Sequence, residues 1–175
     1  MTDPAPPADL GTLERTDDGY VVRFERRFAH PRPKVWAAIT ESEHLAHWLP
    51  CDIVGDRAAG ATVSLPFWPA HVERYQIPTP VLDGRIEVWD PPAVFEWWWS
   101  TDRLRFELEE VEGGTLLRFA TWLGPVGHGA ANTAAGYHAC FGNLQALLDD
   151  GTAPPLVDVD VAPLEAAYQR LAADA

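Results

Sequence analysis

The sequence predicts an α+β fold in which a curved antiparallel β-sheet wraps around one long C-terminal helix. Two patterns lead to this expectation. Short runs of alternating apolar and polar residues are separated by turn residues through the middle of the chain, which is typical of an antiparallel meander. Closer to the C-terminus, five apolar residues recur at steps of three and four, as on the buried face of an amphipathic helix: Ala134, Tyr137, Phe141, Leu144 and Leu148.

The first predicted elements are a β-hairpin and two short helices. An Asp-Gly pair lies between strands at residues 11–15 and 20–28, and it is a hairpin signal because such turns need a positive φ angle. A proline-containing segment then opens one short helix. Thr40 and Glu43 match a capping box that would begin a second helix. This second helix should end before Pro50, because the residue before a proline disfavours helical angles.

The middle of the chain predicts five more strands, at residues 61–67, 85–89, 94–100, 104–111 and 115–123. In the fourth of these, Leu104, Phe106 and Leu108 share one face and charged residues share the other. This alternation is typical of a sheet that is covered on one side only. The prolines between residues 68 and 82 predict an irregular loop.

We expect a single folded domain with two appendages. The 175 residues are 47% hydrophobic, and a chain of this length buries roughly 70% of its unfolded surface. Residues 1–9 read as a flexible leader, residues 10–151 as the domain, and residues 152–175 as an extension with a short helix. A sheet curved around one long helix, with two short helices after the first strands, is the helix-grip architecture.

Four sequence segments that follow one another along the chain resemble a known family. The first is residues 24–31 followed by 35–40, and the second is His44-Leu45-Ala46-His47-Trp48. The third is Asp83-Gly84-Arg85-Ile86 with Asp90-Pro91-Pro92 and residues 96–99, and the fourth is residues 136–141 with Asn143-Leu144 and Leu147-Leu148. Together they resemble the branch of the START and birch-pollen-allergen superfamily, or SRPBCC proteins, that is similar to the activator of heat-shock-protein ATPase. Tyr137 stands where that family more often has tryptophan. The resemblance implies the helix-grip fold, in a family whose members include co-chaperones, lipid or polyketide binders and cyclases, so it does not fix one function.

Composition and charge exclude several functions. The formal net charge is −13, and nucleic acids and anionic membranes both bind proteins through basic patches, so we predict neither partner. The N-terminus lacks the basic and apolar regions of a signal peptide. Cys51 and Cys140 form no metal-binding pattern and read as reduced thiols. We therefore expect a cytoplasmic protein of bacterial type.

The alternation in residues 95–99 predicts a binding site. If one face of this strand points at the long helix, its aromatic residues would line an apolar pocket together with those of the neighbouring elements: Phe95, Trp97, Trp99, Phe106, Leu108, Leu117, Phe119, Tyr137 and Phe141. Ligand pockets are mostly apolar, so these walls suit a small apolar or aromatic metabolite. The alternative is that the same side chains fill the core. Trp98 would face outward, under the final helix or against a second subunit, as in a homodimer.

Two other functions stay open. An enzyme of the cyclase or hydrolase kind could use His71 as a base with Glu73 as its orienting carboxylate. A chaperone-activator-like partner role would need an exposed apolar patch, for which Trp98 and a stripe at residues 164, 168 and 171 are the candidates. His44 and His47 are three apart, but a metal site needs a third ligand. We favour the binding role and predict no catalytic residue, no metal ion and no cofactor.

Overall fold

The computed structural model describes residues 7–125 and 129–174. The described residues form seven strands: β1 (Thr12–Thr16), β2 (Gly19–Phe28), β3 (Thr62–Pro66), β4 (Val81–Asp90), β5 (Val94–Trp99), β6 (Asp102–Val111) and β7 (Gly114–Trp122). They also form five helices: α1 (Arg32–Thr40), α2 (Ser42–Trp48), α3 (Pro69–Tyr75), α4 (Ala130–Asp150) and α5 (Ala162–Ala173). Residues 1–6 of the predicted leader lie outside the described part of the chain.

The strands form one antiparallel sheet in the order β1-β2-β7-β6-β5-β4-β3. The curved sheet wraps around α4, so the predicted α+β helix-grip fold is confirmed. The five apolar residues that predicted the long helix are all buried on α4. The helix ends at Gly151, which has a φ of 76° and so supplies the left-handed conformation that closes many helices.

Alternation along the strands separates an apolar inner face from a charged outer face. On β6, Leu104 and Phe106 are at most 1% exposed, whereas Arg105 on the other face contacts carboxylates. Its Nη1 lies 2.7 Å from Glu96 Oε2 on β5, and on β7 the Nη1 of Arg118 lies 2.6 Å from Glu109 Oε2 on β6. These cross-strand ion pairs run over the outer face, so the inner face is the one that α4 covers.

The two short helices lie where the sequence predicts them, but the predicted capping box is wrong. Thr40 is the last residue of α1, and its hydroxyl donates to the carbonyl of Trp36 at 2.7 Å. The residue that precedes α2 is Glu41, and no side-chain hydrogen bond caps this helix. A threonine at the end of a helix can bond back to the carbonyl four residues earlier, and that local bond competes with the cap.

The prediction of an irregular loop over residues 68–82 is also wrong. Residues Pro69–Tyr75 form α3, and β4 already begins at Val81. Proline is tolerated in the first turn of a helix, where the missing N–H has no partner to lose. Trp68 precedes the helix, and its indole nitrogen donates to the carbonyl of Leu49 at 2.8 Å. Gln76 ends the helix in the left-handed conformation, with a φ of 49°.

Residues 51–54 run beside the outer edge of β3. Cys51 forms an isolated antiparallel bridge with Phe67, and Val54 forms one with Ser64. The amide of Val54 donates to the Ser64 carbonyl at 2.8 Å, and the amide of Ser64 donates back at 2.9 Å. The last strand in the sheet order is therefore partly paired on both sides.

The C-terminal extension packs on the domain through Tyr168 of α5. This side chain is 0% exposed, and its hydroxyl accepts a hydrogen bond from the Gly11 amide at 2.8 Å. The same hydroxyl lies 2.9 Å from Nδ1 of His138 on α4. One buried oxygen therefore joins the start of the sheet, the long helix and the final helix.

Among the helices of the described residues, none combines the length and apolar character that a membrane span requires.

Candidate functional site

The nine residues predicted to line a pocket come together on the inner side of the sheet. Eight of them are buried, at 7% exposure or less, and only Trp99 is half-buried. Cross-strand pairing explains the convergence, because Phe95 pairs with Phe106 and Phe106 pairs with Phe119. Tyr137 and Phe141 face this row from α4.

The centre of this group is closely packed around Phe119. Its ring centroid lies near those of three neighbours, at 4.7 Å from Tyr137, 4.8 Å from Phe106 and 5.1 Å from Phe141. These separations are those of aromatic pairs in direct contact. In this part of the interior the side chains therefore fill the space between the sheet and α4.

Two buried polar groups lie beside this aromatic cluster without a hydrogen-bond partner among the described residues. They are the indole nitrogen of Trp97 and the hydroxyl of Thr121. Trp97 pairs with Leu104, and Leu104 pairs with Thr121, so both lie in one row across the inner face of β5, β6 and β7. Sequence reasoning missed Thr121, although its position two residues after Phe119 places it on the inner face.

His71 is a third buried side chain with unpartnered polar atoms. It is 7% exposed, and neither ring nitrogen has a hydrogen-bond partner among residues 7–125 and 129–174. Burial lowers the pKa of His71, because the charged imidazolium loses its hydration. Glu73 is exposed on the same helix. Residues two apart do not share a helix face, so the predicted pairing of His71 with Glu73 as base and orienter is wrong.

We expect the stability of the protein to fall as the pH is lowered from 7.5 to 5.5. The pKa of His71 is lowered by burial, and that of His138 is lowered by burial and by Arg26. Unfolded histidines take up protons below about pH 6.5, whereas these folded ones resist protonation until a lower pH. The unfolded state therefore gains protons first, and the free energy of unfolding decreases.

Urea denaturation at the two pH values measures this effect, and His71→Phe should reduce the loss of stability relative to the natural protein. His47→Gln on α2 is the matched control, because His47 is half-buried and forms no ion pair among the described residues, and it should leave the loss unchanged. Comparison between variants removes the general effect of the falling net charge. An equal loss in the His71→Phe variant and the natural protein would contradict the prediction.

Cys51, Cys140 and Tyr137 inside the domain are held in their neutral forms. Burial raises the pKa of Cys140 to about 12, and it also raises the pKa of Cys51. Both cysteines are free and buried, so their thiols are poor nucleophiles at neutral pH. Burial likewise raises the pKa of Tyr137, with the charge of Asp102 adding to the effect. The interior therefore presents uncharged groups to anything that enters it.

Two of the clefts on the surface of residues 7–125 and 129–174 contain none of the nine predicted residues. One has a volume of about 600 Å³ and lies beside Trp36, Trp89 and Arg57. The other has a volume of about 550 Å³ and lies near His30 and Gly114, where β2 meets α1. The first of these clefts has aromatic walls and a cationic side chain.

One group of possible metal ligands occurs among the described residues, at the start of α2. Glu41, Glu43 and His44 bring their ligand atoms within 4.8 Å of one another. The Nε2 atom of His44 lies 3.5 Å from Glu41 Oε2 and 3.8 Å from Glu43 Oε1, and both carboxylates are exposed. His47 is not part of this group. The arrangement is a surface ion pair with a histidine and carries no assignment as a metal site.

The surfaces proposed for a protein partner are only partly exposed. Trp98 lies on the face of the sheet opposite α4 and α5, so the final helix does not cover it. It is half-buried, and its indole nitrogen donates to Glu87 Oε1 at 3.0 Å. On α5, Tyr168 is buried and Leu171 is 38% exposed. Only Leu171 of the predicted stripe on α5 is exposed, so the stripe does not form an open apolar patch.

The profile of one protein family matches residues 29–149 of the chain. This family is described as Activator of Hsp90 ATPase homolog 1-like protein. The chain belongs to this family. The match covers most of the helix-grip domain, from α1 to the end of α4, and it confirms the resemblance inferred from the four sequence segments. A search of the curated proteins finds no relative of this chain.

Solved structures of several other proteins share the fold. A conserved protein of unknown function from Enterococcus faecalis superposes with a TM-score of 0.77 at 18% identity, over 94% of this chain and 91% of that chain. A protein from Bordetella parapertussis has a TM-score of 0.68 at 26% identity, over 97% and 95% of the two chains. The Aha1 dimer from Colwellia psychrerythraea has a TM-score of 0.59 at 20% identity, over 75% and 97%.

Proposed function

We propose that this protein binds a small, uncharged apolar or aromatic molecule between the sheet and α4, and that it does so in the cytoplasm. The observation that carries the proposal is that the polar groups of Trp97 and Thr121 have no hydrogen-bond partner within the part of the chain that the structure describes. Both side chains are at most 1% exposed and lie in one row of an otherwise apolar inner face. Such groups are the polar anchors that apolar ligand sites use to orient their ligands.

The energetic cost of these two groups supports a ligand role. Burying a hydroxyl or an N–H without a hydrogen bond costs about 1–3 kcal/mol by mutational data. Most buried polar groups in proteins have a partner, and an exception needs an explanation. A ligand with polar atoms that reach Trp97 and Thr121 would relieve both costs when it binds. The fold would then be least stable when empty.

The side chains around the proposed site define the class of ligand. The Trp97 indole can only donate a hydrogen bond, whereas the Thr121 hydroxyl can donate or accept. A carbonyl, ether or hydroxyl oxygen on the ligand would satisfy either group. None of the nine predicted lining residues carries a charge at neutral pH, so an ionised ligand would lose its hydration without compensation. Because the rings around Phe119 are in contact, ligand entry requires some of them to rotate aside.

Native mass spectrometry of the protein purified from its host tests this function. We expect a fraction of the molecules to carry an additional small mass that disappears when the protein is denatured. The same spectrum reports whether the protein is a homodimer, an assembly that we include in the proposal because the related structure from Colwellia psychrerythraea is described as a dimer. An empty protein that also fails to bind any of a panel of neutral aromatic compounds would overturn the binding role.

We predict that Thr121→Val stabilises the ligand-free protein and weakens ligand binding. Valine has nearly the shape of threonine but lacks the unpartnered hydroxyl, so the free energy of unfolding should rise by about 1–3 kcal/mol. Urea denaturation measures the change. The amount of co-purified ligand should fall in the same variant, because the ligand loses a hydrogen-bond partner.

Thr115 offers a matched control on the same strand. It is also 0% exposed and lies on the same face of β7, but its hydroxyl donates to the carbonyl of His30 at 2.8 Å. Thr115→Val should therefore reduce stability by about 1 kcal/mol. If the two variants lose stability to the same extent, then the Thr121 hydroxyl has a partner in the empty protein, and the proposed anchor is refuted.

A further inference from the structure

The larger of the two clefts described above lies outside the interior site and has a different chemistry. Its volume is about 600 Å³, and it opens between the ends of α1 and β4 and the segment around Arg57. Trp36 of α1 and Trp89 of β4 form an aromatic wall, with ring centroids 5.1 Å apart and planes inclined at 57°. Trp36 is 9% exposed and Trp89 is half-buried, so part of each ring faces the cleft. We refer to this site as the Arg57 cleft.

Arg57 is held in a fixed position at this cleft by backbone carbonyls. Its Nε and Nη2 atoms donate to the carbonyl of Thr40 at 3.1 and 3.0 Å, and its Nη1 donates to the carbonyl of Gly55 at 3.2 Å. A guanidinium group has five N–H groups in a rigid plane. Three of them are used in these contacts, so two have no partner among the described residues and are available to a ligand.

The charge of Arg57 has no ion-pair partner among the described residues. Arg105 and Arg118 on the outer face of the sheet contact carboxylates at 2.6–2.7 Å, whereas no carboxylate oxygen of the described chain lies within 4.0 Å of Arg57. Burial lowers the pKa of Arg57, although the charge of Asp52 opposes this shift. A half-buried and unpaired cation that lines a cleft is suited to hold an anionic group.

We propose that the Arg57 cleft binds a flat aromatic molecule that carries one carboxylate. The ring would lie against Trp36 and Trp89, and the carboxylate would accept hydrogen bonds from the two free N–H groups of Arg57. Planar guanidinium and carboxylate groups match each other in geometry, and such charge-assisted bonds are stronger than neutral ones. The proposal rests on residues other than Trp97 and Thr121, so its failure would not refute the interior site, and failure of the interior site would not refute it.

The acidic residues at the cleft limit the charge of the ligand. Glu41 and Asp52 also line the cleft. One oxygen of Asp52 already accepts the amide of Ile53 at 2.8 Å, so this carboxylate is held by its own backbone. Two negative charges near one arginine disfavour a dianion, because the second charge of such a ligand would meet only repulsion. A monocarboxylate is therefore the class that the cleft accepts.

Isothermal titration calorimetry with two matched probes tests the proposal. The probes are 2-naphthoate and 2-naphthamide, which share a ring system and differ in charge. We expect the natural protein to bind 2-naphthoate at least tenfold more tightly than 2-naphthamide, and this preference should shrink as salt is added. Arg57→Gln should weaken 2-naphthoate binding by about tenfold or more and change 2-naphthamide binding by less than about twofold.

Two control variants show whether the probe binds at the Arg57 cleft itself. Arg27→Gln removes the same charge from an exposed position on β2 and should leave both affinities unchanged. Arg57→Lys keeps the charge but loses the planar fork, so it should bind 2-naphthoate with intermediate affinity even if Arg57→Gln fails to fold. Equal binding of the two probes by the natural protein, or no binding of 2-naphthoate, would overturn the proposal. Loss of 2-naphthoate binding in Thr121→Val but not in the Arg57 variants would show that the probe binds at the interior site, and this result would also overturn the proposal.

Discussion

Replacing Phe119 with alanine is expected to lower the free energy of unfolding by about 3–5 kcal/mol. The side chain is 2% exposed and contacts aromatic rings from β6 and from α4. Alanine removes those contacts and leaves a cavity that rigid neighbours cannot close completely. Urea denaturation followed by tryptophan fluorescence measures the loss.

Phe67→Ala is the matched control for this prediction. Phe67 is half-buried near the edge of the sheet, and its ring lies 5.8 Å from that of Trp99. Its replacement should cost less than half as much, because less buried area is lost. If Phe119→Ala costs no more than Phe67→Ala, then the interior around Phe119 is loosely packed. That outcome would contradict the close packing of these rings, and it would leave more room for a ligand.

Tyr168→Phe is expected to cost about 1–3 kcal/mol of stability. The tyrosine hydroxyl is the hydrogen-bond partner of the Gly11 amide and lies 2.9 Å from Nδ1 of His138. Phenylalanine keeps the ring, which packs at 6.3 Å from Phe24, but it leaves two buried polar groups without this oxygen. Urea denaturation gives the loss, and limited proteolysis should cut α5 faster in the variant.

Tyr75→Phe provides the control for the removal of a hydroxyl. Tyr75 is 52% exposed at the end of α3, where water can replace any bond that its hydroxyl makes. We expect its stability to stay within about 0.5 kcal/mol of the natural protein. A Tyr168→Phe variant as stable and as resistant to protease as the Tyr75→Phe variant would mean that packing alone holds α5 in place.

The sheet and the long helix could be predicted because the apolar residues of their buried faces recur with the period of a strand or of a helix. Leu104 and Phe106 alternate with charged residues, and Tyr137 and Phe141 lie four apart, so the pattern predicts which face of each element is buried. The same alternation places Phe95 and Trp97 opposite α4, as the structure has them. Local patterns of this kind need no knowledge of the rest of the chain.

Other features depend on contacts between distant segments and could not be predicted. Prolines flank the residues of α3, so the sequence favours a loop there. The helix depends on packing that brings Trp68 into contact with Leu49. The unpartnered state of Thr121 becomes visible only when the residues around it are known. The Arg57 cleft is likewise lined by residues from α1, β4 and the segment before β3, so no local pattern in the sequence predicts it.

The pairing of residues 51–54 with β3 has a consequence for self-association. An open sheet can add strands from another molecule wherever its last strand leaves backbone groups unpaired, and this is a common path to aggregation. Here one border is shielded by the bridges at Cys51 and Val54. The opposite border is β1, which has only five residues and carries Glu14 and Arg15. Two copies of this protein should therefore meet through side chains rather than by joining their sheets into one.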